Sequence, residues 1–311
     1  MQTKKIHFET EAAWRQYRNT SIGGSDASCI LGLNPYKSAY ALWMEKTGKV
    51  IPEDVSGKEA VRLGNDLEDY VAKRFMEATG KKVRRENNTI FRDDLPFAHA
   101  NYDRLIVGER AGLEIKTTNA LHLSKFKNGE FPANYYVQAV HYLMISGLDR
   151  WYLAVLVLGV DFKVFTIERD EAEIAALKAA EENFWEMVQT DVPPEIDGSV
   201  STEEALSASF PASEPGTEVD LTGNAADLAI IDECDRQIKE LQDKRTAAQS
   251  RIMEAMGTAE KGSYGAYTVT WKSQRRATFD RKNWEKDHGA IPNKYFKTSE
   301  SRTFRFKKEN D

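Results

Sequence analysis

Asn101-Tyr102-Asp103-Arg104-Leu105-Ile106-Val107-Gly108-Glu109-Arg110-Ala111-Gly112-Leu113-Glu114-Ile115-Lys116-Thr117 is the stretch whose reading decides the fold. Two runs rich in β-formers enclose a short polar connection bounded by Gly108 and Gly112, which reads as a hairpin. Side chains of a strand alternate between faces, so Glu114 and Lys116 project together. If the hairpin returns Asp103 to that face, two carboxylates and one ammonium converge. Hard oxygen ligands of this kind suit Mg²⁺, which keeps several waters and favours phosphate groups. A lysine beside them can orient or deprotonate an attacking water, the chemistry of metal-dependent phosphodiester hydrolysis. Taken alone, Asp-x10-Glu-x-Lys also describes a solvated hairpin whose surface ion pairs carry little energy.

The flanking sequence supplies further elements. Leu63, Leu67, Val71 and Phe75 recur at a four-residue step, a helical stripe, and Glu68 lies beside it where a carboxylate can reach the edge of a sheet. Residues 135–144 read as a second helix with Gln138 and Tyr142 one turn apart. Residues 151–158, Trp-Tyr-Leu-Ala-Val-Leu-Val-Leu, form a near-continuous apolar run typical of a buried central strand. His141 on the second helix and His99 ahead of Asp103 read as packing or bordering residues without an assigned role.

The order Glu68, Asp103, Glu114-x-Lys116, Gln138-x-x-x-Tyr142 resembles the PD-(D/E)xK nuclease core in its RecB-like form. The segments Ile22-Gly23-Gly24-Ser25-Asp26-Ala27-Ser28, Leu31-Gly32-Leu33-Asn34-Pro35-Tyr36 and Leu42-Trp43-Met44-Glu45-Lys46-Thr47-Gly48 narrow the resemblance to the YqaJ-like viral recombinase family, relatives of phage lambda exonuclease. It spans residues 10–190 and implies an α/β core with a mixed central sheet flanked by helices. By resemblance, Glu68, Asp103, Glu114 and the Ile115 carbonyl hold metal, Lys116 activates water, and Gln138 holds the substrate backbone. The metal so implied is Mg²⁺, as two ions, with Mn²⁺ able to substitute. Trp14-x-x-x-Arg18 followed by Ser25 resembles a 5′-phosphate pocket, with Asn101 standing where the lambda enzyme has serine. A guanidinium forks onto phosphate oxygens and a hydroxyl adds a neutral donor. Ser25-Asp26 equally fits the cap of the next helix.

The resemblance implies a 5′–3′ exonuclease on double-stranded DNA, leaving 3′ single-strand overhangs for a RecT-type annealing protein. A homo-oligomeric ring, most simply a trimer, belongs to the same expectation. A structure-selective or restriction-type endonuclease of this fold and a non-catalytic DNA-binding assembly module are the alternatives.

The 311-residue chain is long enough for one large domain and an appendage. The expected division is a nuclease domain over 1–195, a linker over 196–223 and a C-terminal extension over 224–311. The linker reading rests on Pro193-Pro194 and the proline, serine and acidic content up to Gly216. In the extension, a long helix from Asn224 to Met256 ends at Gly257, its stripe broken by Asp235 and Arg245, which favours docking over an independent coiled coil. Residues 266–271 and 302–307 alternate like two strands that could pair. No apolar run reaches the length of a membrane span and no leader pattern opens the chain, so a soluble, cytoplasmic protein of a bacterial host, of phage or prophage origin, is expected. Cys29 and Cys234 read as reduced core residues, and two cysteines cannot ligate an iron–sulfur cluster. The net charge of −6 does not look like a DNA-binding protein, yet the field that matters is local, and basic clusters occur at 81–85 and across 272–311.

Overall fold

The computed structural model describes residues 2–297 and 302–306. The chain forms two units, Met1–Phe210 and Pro211–Asp311. In the first, β1 (Lys4–Ile6), α1 (Glu11–Asn19), α2 (Gly24–Ile30), α3 (Ala39–Lys46) and α4 (Glu59–Thr79) precede most of the strands. Then come β2 (Val83–Arg85), β3 (Thr89–Arg92), β4 (Leu95–Ala100), β5 (Arg104–Ile106), β6 (Ala111–Thr118) and α5 (Ala133–Ser146). The unit closes with β7 (Arg150–Val157), β8 (Asp161–Glu168), α6 (Glu171–Thr190) and α7 (Val200–Ser209).

The expected hairpin is β5–β6, with Arg104 opposite Leu113 and Leu105 opposite Gly112. It sits in a mixed sheet of order β2-β5-β6-β7-β8, in which β6 and β7 run parallel and the other neighbours antiparallel. A parallel pair needs a long crossover, supplied here by the 3₁₀ segment Ala120–Phe126 and α5. Alternation along β6 then sorts the side chains. Ala111, Leu113 and Ile115 join Val71, Ala72 and Phe75 of α4 in one core. On β7, Trp151, Leu153 and Val155 face the opposite core with Leu143 and Met144 of α5. Gly112, Glu114 and Lys116 therefore lie on the α5 side.

Close approach explains two glycines. A Cβ on Gly112 would stand 2.2 Å from the Trp151 ring, and one on Gly24 would stand 2.5 Å from the Tyr142 ring, so α2 packs tightly on α5. The turn between α1 and α2 is pinned to β4 by Ile22 N donating to Phe97 O (2.7 Å) and His99 N donating to Ile22 O (2.8 Å).

Beneath α5, His141 and Glu181 are fully buried and bonded at 2.7 Å, while His141 Nε2 donates to the His99 carbonyl at 2.9 Å. That second bond requires a proton on Nε2, so the Nδ1–Oε1 contact needs one more proton, on imidazole or carboxyl. Burial opposes the charged imidazole, but the Glu181 carboxylate outweighs it and His141 is held above its ordinary value. His99 is also buried and bonds Ser21 Oγ at 2.7 Å; burial pushes it down to about 3, so it is neutral. Both histidines are packing residues.

The segment read as a linker is partly structured. Residues Val200–Ser209 fold as α7, with Thr202 and Ala205 buried and Thr202 Oγ1 bonded to Ser38 Oγ at 2.7 Å. The sparse apolar residues there bury only because α3 offers a partner, which composition does not report. In the second unit, α8 (Ala225–Met256) matches the expected long helix and has no buried side chain. β9 (Lys261–Tyr264) pairs antiparallel with β10 (Tyr267–Thr270), and α9 (Arg281–His288) follows. The strand at 266–271 thus finds its partner upstream through a turn at Gly265, whose φ is +54°, rather than at 302–307. Residues 302–306 carry no strand, and Lys307 lies outside the described residues. Cys29 is buried but Cys234 is exposed, which corrects the core reading for Cys234. Among the described residues no helix is long and apolar enough to cross a membrane.

Gly112→Ala forces a methyl into the Trp151 ring, and overpacking of this kind costs about 1–3 kcal/mol. The unfolding free energy of Gly112→Ala, read from urea titration, is expected to fall by that amount, whereas Gly198→Ala, where nothing stands within 4 Å, leaves it nearly unchanged. Equal unfolding free energies for the two would refute the packing account.

Candidate active site

The β5–β6 ladder stops at Arg104 and Leu113, and the next pair of positions carries the site. Asp103, just ahead of β5, turns its carboxylate across the gap, where Oδ2 accepts from Ile115 N at 2.7 Å. A side chain thus satisfies an amide that the ladder leaves open. Ile115 enters the site only through its backbone, since its side chain is in the α4 core.

Glu114 is 4% exposed. Its Oε1 accepts from Lys116 Nζ at 2.5 Å and from Gln138 Nε2 at 2.8 Å. Its Oε2 is buried with no hydrogen-bond partner. Gln138 also donates to Tyr142 Oη at 2.8 Å, one turn along α5, so Tyr142 sets the amide's orientation. Lys116 Nζ stands 5.3 Å from the centre of the Tyr135 ring, within cation–π range.

Electrostatics follow from this crowding. Burial, then the Glu114 carboxylate, hold the Asp103 carboxyl well above its ordinary value. For Lys116, burial opposes the charge, but Glu114 and then Asp103 outweigh it and raise the ammonium. Lys116 as it stands is a cation that donates a hydrogen bond. In this metal-free state its N–H donors can orient a water.

Glu68 reaches the same corner from α4, but its Oε1 is bonded to the Arg104 guanidinium. Arg104 is 4% exposed and also donates to Asp69 Oδ1 and to the Asp103 carbonyl, both at 2.6 Å. Among the described residues no three carboxylate, histidine or cysteine side chains gather as around an ion. Asp103 and Glu114 meet; Glu68 is held aside. The donor set still fits a divalent cation, because the partnerless Glu114 Oε2 and the raised Asp103 carboxyl both mark a shortage of positive charge.

A second cluster lies on α1 and α2. Arg18 Nη2 donates to Ser25 Oγ at 3.2 Å, and the guanidinium lies 4.9 Å from the Trp14 ring. Trp14 Nε1 donates in turn to Asn101 Oδ1 at 3.4 Å, and Thr89 Oγ1 donates to the same atom at 2.7 Å. The three residues suspected of holding an anion are therefore linked through Trp14. Asp26 makes the helix-cap bond, accepting from Gly23 N at 3.0 Å, and the exposed Ser25 hydroxyl serves Arg18.

Three contributors were missed in sequence. Arg104 is an arginine inside a strand next to an acidic helix, a pattern that signals a buried ion pair. Lys46, its side chain 4% exposed, pairs with Asp26 at 2.8 Å and donates to the carbonyls of Arg18 and Ser21. Burial alone would raise the Asp26 carboxyl, but Lys46 and then Arg18 outweigh it and hold it well below the usual range. Tyr135 beneath Lys116 gave no signal beyond its place in the helix stripe.

The family model of the YqaJ-like viral recombinase domain matches residues 13–149. The YqaJ protein of Bacillus subtilis (strain 168), itself uncharacterized, is 39% identical over 300 residues, covering 94% of this chain and 93% of that protein. An alkaline exonuclease of Laribacter hongkongensis, LHK-Exo, superposes with a TM-score of 0.50 at 19% identity, over 58% of this chain and 94% of its own. The same enzyme in complex with dAMP gives a TM-score of 0.50 at 20% identity. The shared fold is the PD-(D/E)xK core.

Because the folded value of Asp103 lies above 3.8, the stability this group contributes is complete below that pH. It is lost as pH rises through the folded value. The metal-free protein therefore loses it progressively as pH rises above 3.8. Asp103→Asn keeps the acceptor for Ile115 N and removes the charge, so its melting temperature without divalent ions should exceed wild type by about 2–4 °C or more at pH 8. The gap should close near pH 4. A melting temperature equal to or below wild type at pH 8 contradicts this electrostatic picture.

Proposed function

The chain belongs to the YqaJ-like viral recombinase family, and from that premise we propose that it is a divalent-metal-dependent 5′–3′ exonuclease of linear duplex DNA. The observation that carries the reading is the convergence of Asp103, Glu114, Lys116 and Gln138 on one face of β6. The fold neighbour is an alkaline exonuclease, and its complex with dAMP, a mononucleotide, fits a reaction that releases single nucleotides.

Asp103, Glu114 and the Ile115 carbonyl would hold Mg²⁺, with Glu68 joining once Arg104 releases it; two ions and replacement by Mn²⁺ are part of the proposal. When bound, the cation supplies Lewis-acid polarisation and offsets the carboxylates' repulsion of an incoming phosphodiester. The remaining work falls to the chain. Lys116 orients water through its N–H donors, and its positive charge favours the developing negative charge of the transition state. Gln138 contacts phosphate with a neutral amide, which leaves the carboxylates free to hold metal. Arg18, Ser25 and the Nδ2 of Asn101 bind a terminal 5′ phosphate. Lys46 fixes the turn that carries Arg18. Cleavage from that end leaves a 3′ single strand, the substrate of a RecT-type annealing protein. A ring, trimeric by resemblance, would keep the enzyme on its track where phosphate contacts alone weaken with salt.

Linear and covalently closed duplex, incubated in Mg²⁺ or EDTA, test the reading. Wild type should digest only linear DNA and only with Mg²⁺, and Lys116→Ala should abolish digestion while keeping DNA binding. Cutting of closed circles would make it an endonuclease; binding without cleavage by wild type would make it an assembly module. Arg18→Ala should lower the preference for 5′-phosphoryl over 5′-hydroxyl ends by about tenfold or more, the weight of a charged hydrogen bond. An unchanged preference would place the end-reading site elsewhere.

A further inference from the structure

Beside the Glu114–Lys116 pair lies a cavity of about 200 Å³ that the proposed chemistry does not use. Its walls include Leu33 and Tyr36 from the loop after α2, Thr118 at the end of β6, and Tyr135 at the start of α5. We propose that this cavity holds the base of the nucleotide next to the scissile phosphate, stacked on Tyr36, with Tyr135 forming the wall shared with Lys116. The inference rests on the nuclease reading for its substrate, and adds a base-binding subsite to it.

Position is the first argument. Residues 114, 116 and 118 share one face of β6, so Thr118 lies one two-residue step, about 6.6–6.8 Å, beyond Lys116. Tyr135 belongs to both places, because its ring lies under Lys116 Nζ and also lines the cavity. A nucleotide whose phosphate meets Lys116 and Gln138 has its base within reach.

Shape and chemistry are the second. Pockets for drug-sized ligands run to roughly 300–1,000 Å³, so this volume suits a smaller planar group. Its polar lining includes Thr118, His122, Lys125 and Asn134. The Asn134 amide and the His122 imidazole can meet the donor and acceptor edges of a base, and the Lys125 ammonium can meet the phosphate attached to it. His122 is held by its Nδ1 contact with Thr118 Oγ1 at 3.1 Å.

The third argument is that Tyr36 is presented rather than packed. It is 77% exposed, yet its loop is tightly built. Asn34 Oδ1 accepts from Tyr36 N (2.9 Å) and Lys37 N (3.1 Å), and Asn34 Nδ2 donates to Ser28 Oγ at 3.0 Å. Leu33 N and Asn34 N both donate to the Ser28 carbonyl. A rigid loop holding an aromatic ring in water beside a cavity is a stacking platform, and stacking tolerates every base because each has a π-face.

The test is a coupling measurement with 5′-phosphorylated duplexes carrying a single abasic residue at each of the first few positions, bound to the full chain in EDTA and read by fluorescence anisotropy. For wild type, the abasic lesion at one position should weaken binding by about tenfold. Tyr36→Ala should weaken binding of intact duplex by a similar factor and be indifferent to the lesion there; Tyr36→Phe should behave as wild type. Because Tyr36 is exposed, an unchanged melting temperature checks that Tyr36→Ala is folded. Loss that is uniform over all positions, no loss, or lesion sensitivity retained in Tyr36→Ala each overturns the subsite. If coupling appears but Mg²⁺ supports no cleavage, the nuclease reading fails and the subsite stands. If cleavage is normal without coupling, the reverse holds, and absence of any DNA binding overturns both.

Discussion

Glu114 is a carboxylate buried in the middle of a sheet, and the rest of the site is arranged around making that tolerable. An isolated ionised carboxyl in such a place costs several kcal/mol unless cations and hydrogen bonds compensate it. One oxygen is compensated, by Lys116 from the same strand and Gln138 from α5. The other is not. Burial and then the Glu114 carboxylate disfavour the charge of Asp103 beside it. The protein thus maintains a local deficit of positive charge on a rigid strand between two helical layers. Structural ion pairs are normally satisfied, so a deficit held in place by packing points to a ligand.

Positioning depends on that packing more than on the polar residues. The parallel pairing of β6 with β7 fixes which face Glu114 occupies, since a slip of one residue would send it to the α4 core. Gly112 and Gly24 let Trp151 and Tyr142 approach the backbone, and Tyr142 in turn holds Gln138. At the N-terminal end, Lys46 and Asp26 form a buried pair that ties the Arg18 turn to α3, and Ile22 ties it to β4. The Arg18 cluster and the carboxylate cluster therefore stand on one continuous frame.

Most of this frame was legible because its signals are local. The hairpin, the helices at Glu59–Thr79 and Ala133–Ser146 and the strand at Arg150–Val157 follow from periodicity and glycine placement. The face shared by Glu114 and Lys116 follows from strand alternation. What sequence did not disclose depends on contacts between distant segments. That Glu68 would be held by Arg104, that Asp26 rather than Ser25 would cap α2, and that Val200–Ser209 would dock on α3 are choices among equally plausible partners. The β9–β10 hairpin was missed for a different reason, since Lys261–Tyr264 has almost no apolar alternation and pairs through its backbone. Cys234 looked like a core residue because its helix carries an apolar stripe, but that stripe covers nothing buried in α8.

The central claim is that Asp103 and Glu114 form one cation site. Calorimetric titration of Mn²⁺ into the metal-free protein, beside Asp103→Asn and Glu114→Gln, tests it without relying on turnover. The account predicts saturable binding to wild type that either substitution removes, at a pH where all three proteins are folded. Wild type that takes up no Mn²⁺, or variants that bind it with undiminished affinity, would contradict it.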